Sequence, residues 1–451
     1  MTSYKNWDDT IVALASPSGI GALALLRLSG PQAISILEKL APKSKATSRQ
    51  SHTAFVCRLF LGTEFLDEAL ATIFRAPASF TGEDVVELGL HGSAYIVQQV
   101  LKSCLEAGCR MASPGEYTQR AFLNRKLDLA QAEAVGDLIA SESKAAHRAA
   151  LQQLKGGLSK EIAHLRQQLI DFTALIELEL DFSEEDVEFA DREKLYSLVE
   201  EIRAHLKRLR HSFSTGQAVK NGIPVVIAGP PNAGKSTLLN ALLEEERAIV
   251  SPIAGTTRDL IEDKMVLEGI PFRFVDTAGL RHTEDLVESM GIARTREQLN
   301  KAAFVLLLQA PDTDPEENKA IEEEIRNKGL PYLKIHTKAD ILFPTEPQAF
   351  ALSAQTGEGM ERLKTEIVNR AVDRTMLEAE TSLITNLRHY EALGATDAAL
   401  EQVEKALRQG LTGDLLATDI REALFHLGSI TGEITVEEVL GSIFTRFCIG
   451  K

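Results

Sequence analysis

The clearest chemistry in the chain lies in Gly229-Pro-Pro-Asn-Ala-Gly-Lys-Ser236, which fits GxxxxGK[ST]. The strand-like PVVIA precedes it and the helix-like STLLNALL follows, the setting a P-loop needs. Such a loop turns successive backbone N–H groups toward phosphate, and the helix N-terminus adds partial positive charge. The expected cradle runs over Asn232, Ala233, Gly234, Lys235, Ser236 and Thr237, with Gly229 and Gly234 supplying backbone freedom. Lys235 is expected to reach the β and γ phosphates, and Ser236 to bind Mg²⁺.

Three further motifs follow in order, each at the end of a strand-like run. Asp276-Thr277-Ala278-Gly279 follows FRFV, Thr337-Lys338-Ala339-Asp340 follows PYLKIH, and Ser353-Ala354 follows FAL. Asp276 would reach Mg²⁺ through water and the Gly279 N–H the γ phosphate. Four motifs in this order are the pattern of a GTPase. Guanine presents two N–H donors on one edge, and an ionised Asp340 accepts both. Thr337 stands where Asn is usual; it keeps a hydroxyl and loses the amide.

The position after DTAG is Leu280, which cannot orient water, so another group must do so. Glu284, Asp285 and Glu288 are the candidates. Residues 248–259 (AIVSPIAGTTRD) read as a first switch region, in which Thr257 is the natural second Mg²⁺ ligand. The side-chain carbonyl of Asn232, with Ser251 and Thr256, offers oxygens to a monovalent cation near the phosphates.

These residues need elements to position them. Residues 222–374 alternate short apolar strands (PVVIAG, FRFVDTAG, AAFVLLLQA, PYLKIHT, FALSA) with helices, a doubly wound Ras-like α/β pattern. Residues 1–121 read as an α+β domain. Residues 10–28 suggest two short strands around a turn, 77–93 a loop, strand and loop, and VQQVLKSCLEAG a helix stopped by Gly108. Residues 122–221 and 375–451 read as helical. Leu151, Leu154, Leu158, Ile162, Leu165 and Leu169 recur at three and four, as do Leu195, Leu198, Val199, Ile202, Leu206 and Leu209. DFSEEDVEFADRE forms an acidic link between these runs. Helices on both sides of an α/β unit suggest an α/β domain inserted into a helical one. The expected fold class is therefore multidomain: α+β, then α from two chain segments, with α/β inserted.

Composition narrows the function classes. The 451 residues carry 49 Lys and Arg against 65 Asp and Glu, a net charge of −16, which argues against a generally basic nucleic-acid-coating protein. The four cysteines form no CxxC pair, so zinc ribbons and disulfide scaffolds are not expected and a reduced, cytoplasmic setting is. Asp8 and Asp9 stand where a secretory signal would carry positive charge. No apolar run reaches ~18 residues, the length of a membrane span. No anchor or basic amphipathic helix suggests membrane remodelling.

GPPNAGKST, IAGTTRD and DTAGL, together with SFTGEDVVEL at 79–88, PGEYTQRAFLNRKLDLAQAEA at 114–134 and the terminal FCIGK, resemble the MnmE/TrmE tRNA-modification GTPases over essentially the whole chain. The resemblance implies a tetrahydrofolate-binding and dimerising N-terminal domain and a homodimer. It implies GTP hydrolysis stimulated by K⁺, which replaces an arginine finger when two G domains meet. Asn232 matches the family's K⁺-coordinating Asn, and Ser251, Ile253 and Thr256 match the switch positions that complete the coordination. The family has Thr more often where Ser251 stands. Glu288 matches the water-positioning Glu. Arg27, Glu87, Lys126 and Lys451 match folate-contacting positions, and Cys448 the C-terminal Cys assigned a catalytic part. The family acts with a FAD- and NADH-dependent partner, MnmG (GidA). Together they place an aminomethyl or carboxymethylaminomethyl group on carbon 5 of the wobble uridine of certain tRNAs, with methylenetetrahydrofolate as one-carbon donor and glycine or ammonium as amine.

A locally basic stretch, Arg120, Arg125, Lys126, Lys144, Arg148, Lys155 and Lys160, has two readings, a surface that meets tRNA phosphates or ordinary solvated helix faces. Two rival functions share the nucleotide motifs. A ribosome-assembly GTPase needs no folate pocket, so tetrahydrofolate binding separates it. A one-carbon transferase that the G domain merely regulates would modify tRNA without hydrolysing GTP.

Overall fold

A computed structural model describes residues 8–181, 191–247, 263–275, 299–342, 350–371, 383–409, 413–434, 437–445, 447 and 449–450. The chain divides into two compact units: Met1–Gly136 with Gln153–Leu175 and Arg421–Lys451, and Asp137–Gln152 with Ile176–Ile420.

The first unit is built on a six-stranded sheet. Its strands are β1 (Thr10–Leu14), β2 (Leu23–Ser29), β3 (Thr53–Leu61), β4 (Glu64–Phe74), β5 (Val85–His91) and β6 (Cys109–Met111), in the order β3-β4-β5-β2-β1-β6. The expected turn of residues 10–28 is an antiparallel pair, Ile11 opposite Ser29, and β6 joins β1 in parallel. Alternation decides the two faces. Cys57, Leu59, Ala69, Ala71, Ile73, Val86, Leu88 and Leu90 point into a core shared with helices Ala33–Leu40 and Ala94–Glu106. The opposite face carries Val56, Leu70, Glu87 and Arg27. Val56 and Leu70 are 64% and 52% exposed and lie opposite one another.

The second unit is built on a five-stranded sheet: β7 (Ile223–Ala228), β8 (Asp263–Leu267), β9 (Ile270–Phe274), β10 (Phe304–Gln309) and β11 (Tyr332–His336), in the order β11-β10-β7-β9-β8. Four strands run parallel and β8 pairs antiparallel with β9. Along β10, Phe304, Leu306 and Leu308 enter one core and Val305 and Leu307 the other. Helices Lys235–Arg247 and Met360–Ala371 cover the first face, and Pro315–Asn327 the second. Burial on both faces is why these strands read as unbroken apolar runs.

Three details depart from the sequence reading. The run FALSA is no strand; Ala351 makes a single parallel bridge to His336. Strand β8 was not anticipated, although its two-residue turn, Glu268-Gly269, has both φ angles positive (49° and 82°), the geometry that matches strand twist. The leucine period from 151 to 169 belongs to two helices, Lys144–Leu154 and Gly157–Asp181, parted at Gly156, whose φ of +78° no helix interior adopts. The Arg192–His211 helix forms as expected. The Asp191 carboxylate caps it by accepting from the N–H groups of Glu193 and Lys194, and Leu195, Val199, Ile202, Leu206 and Leu209 are buried.

Candidate functional site

Among the described residues, the P-loop and the Thr337–Asp340 loop lie at the C-terminal ends of the parallel strands β7 and β11, where ligands meet open α/β sheets. The P-loop leaves β7 at Gly229. A Cβ there would sit 2.6 Å from the Leu308 carbonyl oxygen, so only glycine lets the loop cross β10 so closely. Gly234 has φ +88° and opens the helix that starts at Lys235. Asn232 also lies in the left-handed region, with φ 61°, a conformation Asn tolerates better than most residues. Its side chain is exposed, as is that of Thr237, while Ser236 is half-buried.

Lys235 folds back over the loop. Its Nζ donates to the carbonyls of Gly229 and Pro230, both at 2.7 Å. Burial pulls the ammonium below its ordinary pKa. A desolvated cation held by two neutral carbonyls is suited to receive a phosphate oxygen.

The base loop is tied to this cradle by the residue that departs from the usual motif. Thr337 Oγ1 donates to the Ala233 carbonyl at 2.8 Å, and the Thr337 N–H to Gln309 O at 2.9 Å. The methyl-bearing hydroxyl thus joins the base loop to the P-loop without an amide. Lys338, at φ 58°, donates to both Asp312 carboxylate oxygens at 2.8 Å and holds that carboxyl below the usual range. Asp340 is exposed. The Ala339 N–H donates to Leu352 O at 3.1 Å, which brings Ser353 and Ala354 beside Asp340's loop. Ser353 is buried, and its Oγ accepts from the Thr356 N–H.

Of the nucleotide residues expected from sequence, Ser251, Ile253, Thr256, Thr257, Asp276, Thr277, Ala278, Gly279 and Glu288 lie outside the described residues, as do Cys448 and Lys451.

A second cluster lies on the face of the six-stranded sheet opposite its main core, where Tyr117 packs over Ile11 and Ala13. Arg27 and Glu87 are register partners on β2 and β5. The Arg27 Nε and Nη2 donate to Glu87 Oε1 at 2.9 and 2.6 Å, with both side chains about four-fifths buried. The Arg27 guanidinium lies 5.6 Å from the Phe80 ring centroid and 5.8 Å from that of Tyr117. Tyr117 is fully buried and its hydroxyl donates to Arg27 O at 2.6 Å. Lys126 is exposed and donates to Pro77 O at 3.0 Å. The sequence reading did not single out Phe80 and Tyr117, which stand beside Arg27 and lie inside SFTGED and PGEYTQR.

Arg120 is a correction. The sequence places it in a basic stretch offered to phosphate, but its side chain is 1% exposed. It donates to Asp9 Oδ1 (2.6 Å), Glu83 (3.1 Å) and Glu116 (2.9 Å), and Glu116 also accepts from Arg110 and the Ser113 N–H. Burial by itself would raise the Glu116 carboxyl, yet these hydrogen bonds and charges hold it below its ordinary value. Arg125, Lys126, Lys144, Arg148, Lys155 and Lys160 remain exposed.

Two family descriptions match the chain: the GTP-binding protein TrmE N-terminus over residues 10–126 and the MnmE helical domain over residues 129–448. The tRNA modification GTPase MnmE of Cytophaga hutchinsonii is 50% identical over 458 residues, covering 100% of this chain and 99% of that protein. The chain belongs to the MnmE family of tRNA modification GTPases. The MnmE proteins of Christiangramia forsetii (50% identical, 98% of this chain and 99% of that one) and Flavobacterium johnsoniae (48%, 98% and 99%) agree. Among the described residues, no helix is long and apolar enough to cross a membrane.

Proposed function

We propose that this chain is a K⁺-stimulated GTP hydrolase that acts, with a FAD-dependent partner of the MnmG/GidA type, on carbon 5 of the wobble uridine of certain tRNAs in the cytoplasm. The observation that carries the nucleotide half is the linked cradle: Lys235 poised over the Gly229 and Pro230 carbonyls, and Thr337 joining the base loop to Ala233. Lys235 and the loop N–H groups receive the β and γ phosphates. Asp340 selects guanine, with Lys338 and Ser353-Ala354 framing its loop. Ser236, Thr257 and Asp276 would hold Mg²⁺. Bound Mg²⁺ supplies charge neutralisation at the phosphates. Asn232 is exposed at the lip of the cradle, which suits a carbonyl ligand for K⁺; Ser251, Ile253 and Thr256 complete that set. Glu288 positions the attacking water.

The folate half rests on Arg27 and Glu87. A largely buried ion pair beside aromatic rings offers donors and an acceptor to a polar heterocycle, and such residues fit a reduced folate. Lys126 and Lys451 contribute charge toward its carboxylates, and Cys448 is assigned to the same chemistry. Residues 1–121 supply Arg27 and Glu87 to this site and dimerise, and the helical segments 122–221 and 375–451, which supply Lys126, Cys448 and Lys451, flank the G domain, 222–374. The exposed Val56 and Leu70 on the sheet face opposite the main core are apolar surface a second copy would cover.

The test is mass spectrometry of tRNA nucleosides from a source strain lacking this chain. Loss of the carbon-5-modified wobble uridine is expected, restored by the wild-type gene and not by Glu288→Ala. An unchanged profile in a strain with no second copy overturns the reading and leaves a ribosome-assembly switch in its place. Restoration by Glu288→Ala protein that binds GTP without hydrolysing it points instead to a transferase that GTP merely regulates.

A further inference from the structure

We propose that Phe80 is a further ligand-contacting residue, the stacking surface for a flat heteroaromatic ring whose polar edge is read by Arg27 and Glu87. The inference rests on the folate reading above and names the residue that would hold the ring.

The two aromatic rings beside Arg27 are not equivalent. Tyr117 is sealed in the core, its hydroxyl spent on Arg27 O. Phe80 stands 38% exposed on the segment between β4 and β5. That exposure is not the looseness of an untethered loop. Thr81, next to it, is fully buried and its hydroxyl meets Ser29 Oγ at 2.7 Å. Asn124 Nδ2 donates to Thr81 O at 2.7 Å, Ser79 Oγ to Glu83 O at 2.6 Å, and Lys126 Nζ to Pro77 O at 3.0 Å. Gly82, at φ +80°, lies against Asn124, where a Cβ would be 3.0 Å from the Asn124 Cβ. The chain therefore spends five fixed contacts to present one large apolar ring partly to water, where burying it would stabilise the fold.

The geometry around the ring defines what it can take. Both Arg27 bonds end on the single oxygen Glu87 Oε1, which leaves Oε2 with acceptor capacity. A carboxylate bonded to a guanidinium that itself lies 5.6 Å from an aromatic centroid suits a planar ring with adjacent N–H donors on its edge. The pyrimidine half of a reduced pteridine has that shape and that edge. The ring stacks on Phe80, its donors meet Glu87, and the Arg27 hydrogen bonds hold that carboxylate in place.

The test is calorimetric titration of the full chain with tetrahydrofolate kept reduced under argon. Phe80→Ala is expected to weaken binding about 2- to 13-fold, the range for losing one aromatic stacking partner. Phe80→Tyr keeps the ring and is expected to bind like wild type. Phe80→Leu keeps apolar bulk without a π face and is expected to fall with Ala. If Phe80→Ala fails to fold, the Leu and Tyr variants carry the comparison. Binding by wild type with equal affinity in the Ala and Leu variants overturns the role of Phe80 and leaves the folate reading standing. No tetrahydrofolate binding by wild type overturns both.

Discussion

Thr337→Val probes the joint between the two halves of the nucleotide site. The substitution keeps the shape of the side chain and removes one hydroxyl. That hydroxyl donates to Ala233 O at 2.8 Å, in a buried bond. Without it the carbonyl loses its donor inside the fold. Stranding a buried acceptor costs about 1–3 kcal/mol. At 1.36 kcal/mol per tenfold, this is about a 5- to 150-fold effect if it falls entirely on nucleotide affinity. It does so only where the variant's base loop shifts off the cradle before nucleotide arrives; otherwise the cost appears as lost stability of the nucleotide-free chain. Both should therefore be measured, by titration with a fluorescent GTP analogue and by the urea midpoint of unliganded protein. The expected result is weaker binding, a lower midpoint, or both. Thr337→Ser retains the donor and is expected to behave as wild type. Thr337→Asn offers an amide donor to the same carbonyl and is expected to bind at least as well. Unchanged affinity and unchanged midpoint in Thr337→Val would refute the joint.

Other outcomes follow from the same geometry. GTP hydrolysis is expected to run faster in KCl than in NaCl at equal ionic strength. Asn232→Ala is expected to abolish that difference, and Asn232→Gly, which keeps the left-handed backbone at φ 61°, to abolish it too. Retained K⁺ preference in the Gly variant would show that Asn232 matters for its backbone alone. Asp340→Asn is expected to lose the preference for GTP, since its amide no longer accepts both guanine N–H donors; unchanged selectivity in competition titrations counts against the base-site assignment. Glu116 has a carboxyl held below its ordinary value when folded, so its contribution to stability is present above its unfolded pKa, about 4.3, and is lost as pH falls through the folded value. The urea midpoint of Glu116→Gln should accordingly lie below wild type at neutral pH, with the gap closing in acid. A gap independent of pH would mean that the cluster is not stabilised by the Glu116 charge.

The sequence by itself determined the local chemistry. Phosphate recognition by a P-loop is made of consecutive backbone N–H groups, so Gly229 to Ser236 carry their meaning in one short run. Strands buried on both faces must be apolar throughout, and β7 and β10 were legible for that reason. Short-range turn chemistry was written there too, although the Glu268-Gly269 hairpin went unread and Gly156 passed unnoticed inside a leucine period.

What the sequence alone left undecided is which distant groups share a low-dielectric space. Arg120 has the same composition signal as an exposed basic residue; only its contacts with Asp9, Glu83 and Glu116, brought together from three parts of the chain, make it an internal counter-ion. Thr337 read as a departure from a motif until its hydroxyl met Ala233, 104 positions away. Phe80 read as one apolar residue in a loop until Arg27 was placed beneath its ring. Each of these depends on burial and on long-range pairing. A hydrogen bond or charge takes its value from the solvent excluded around it, and that exclusion exists only once the tertiary fold has closed.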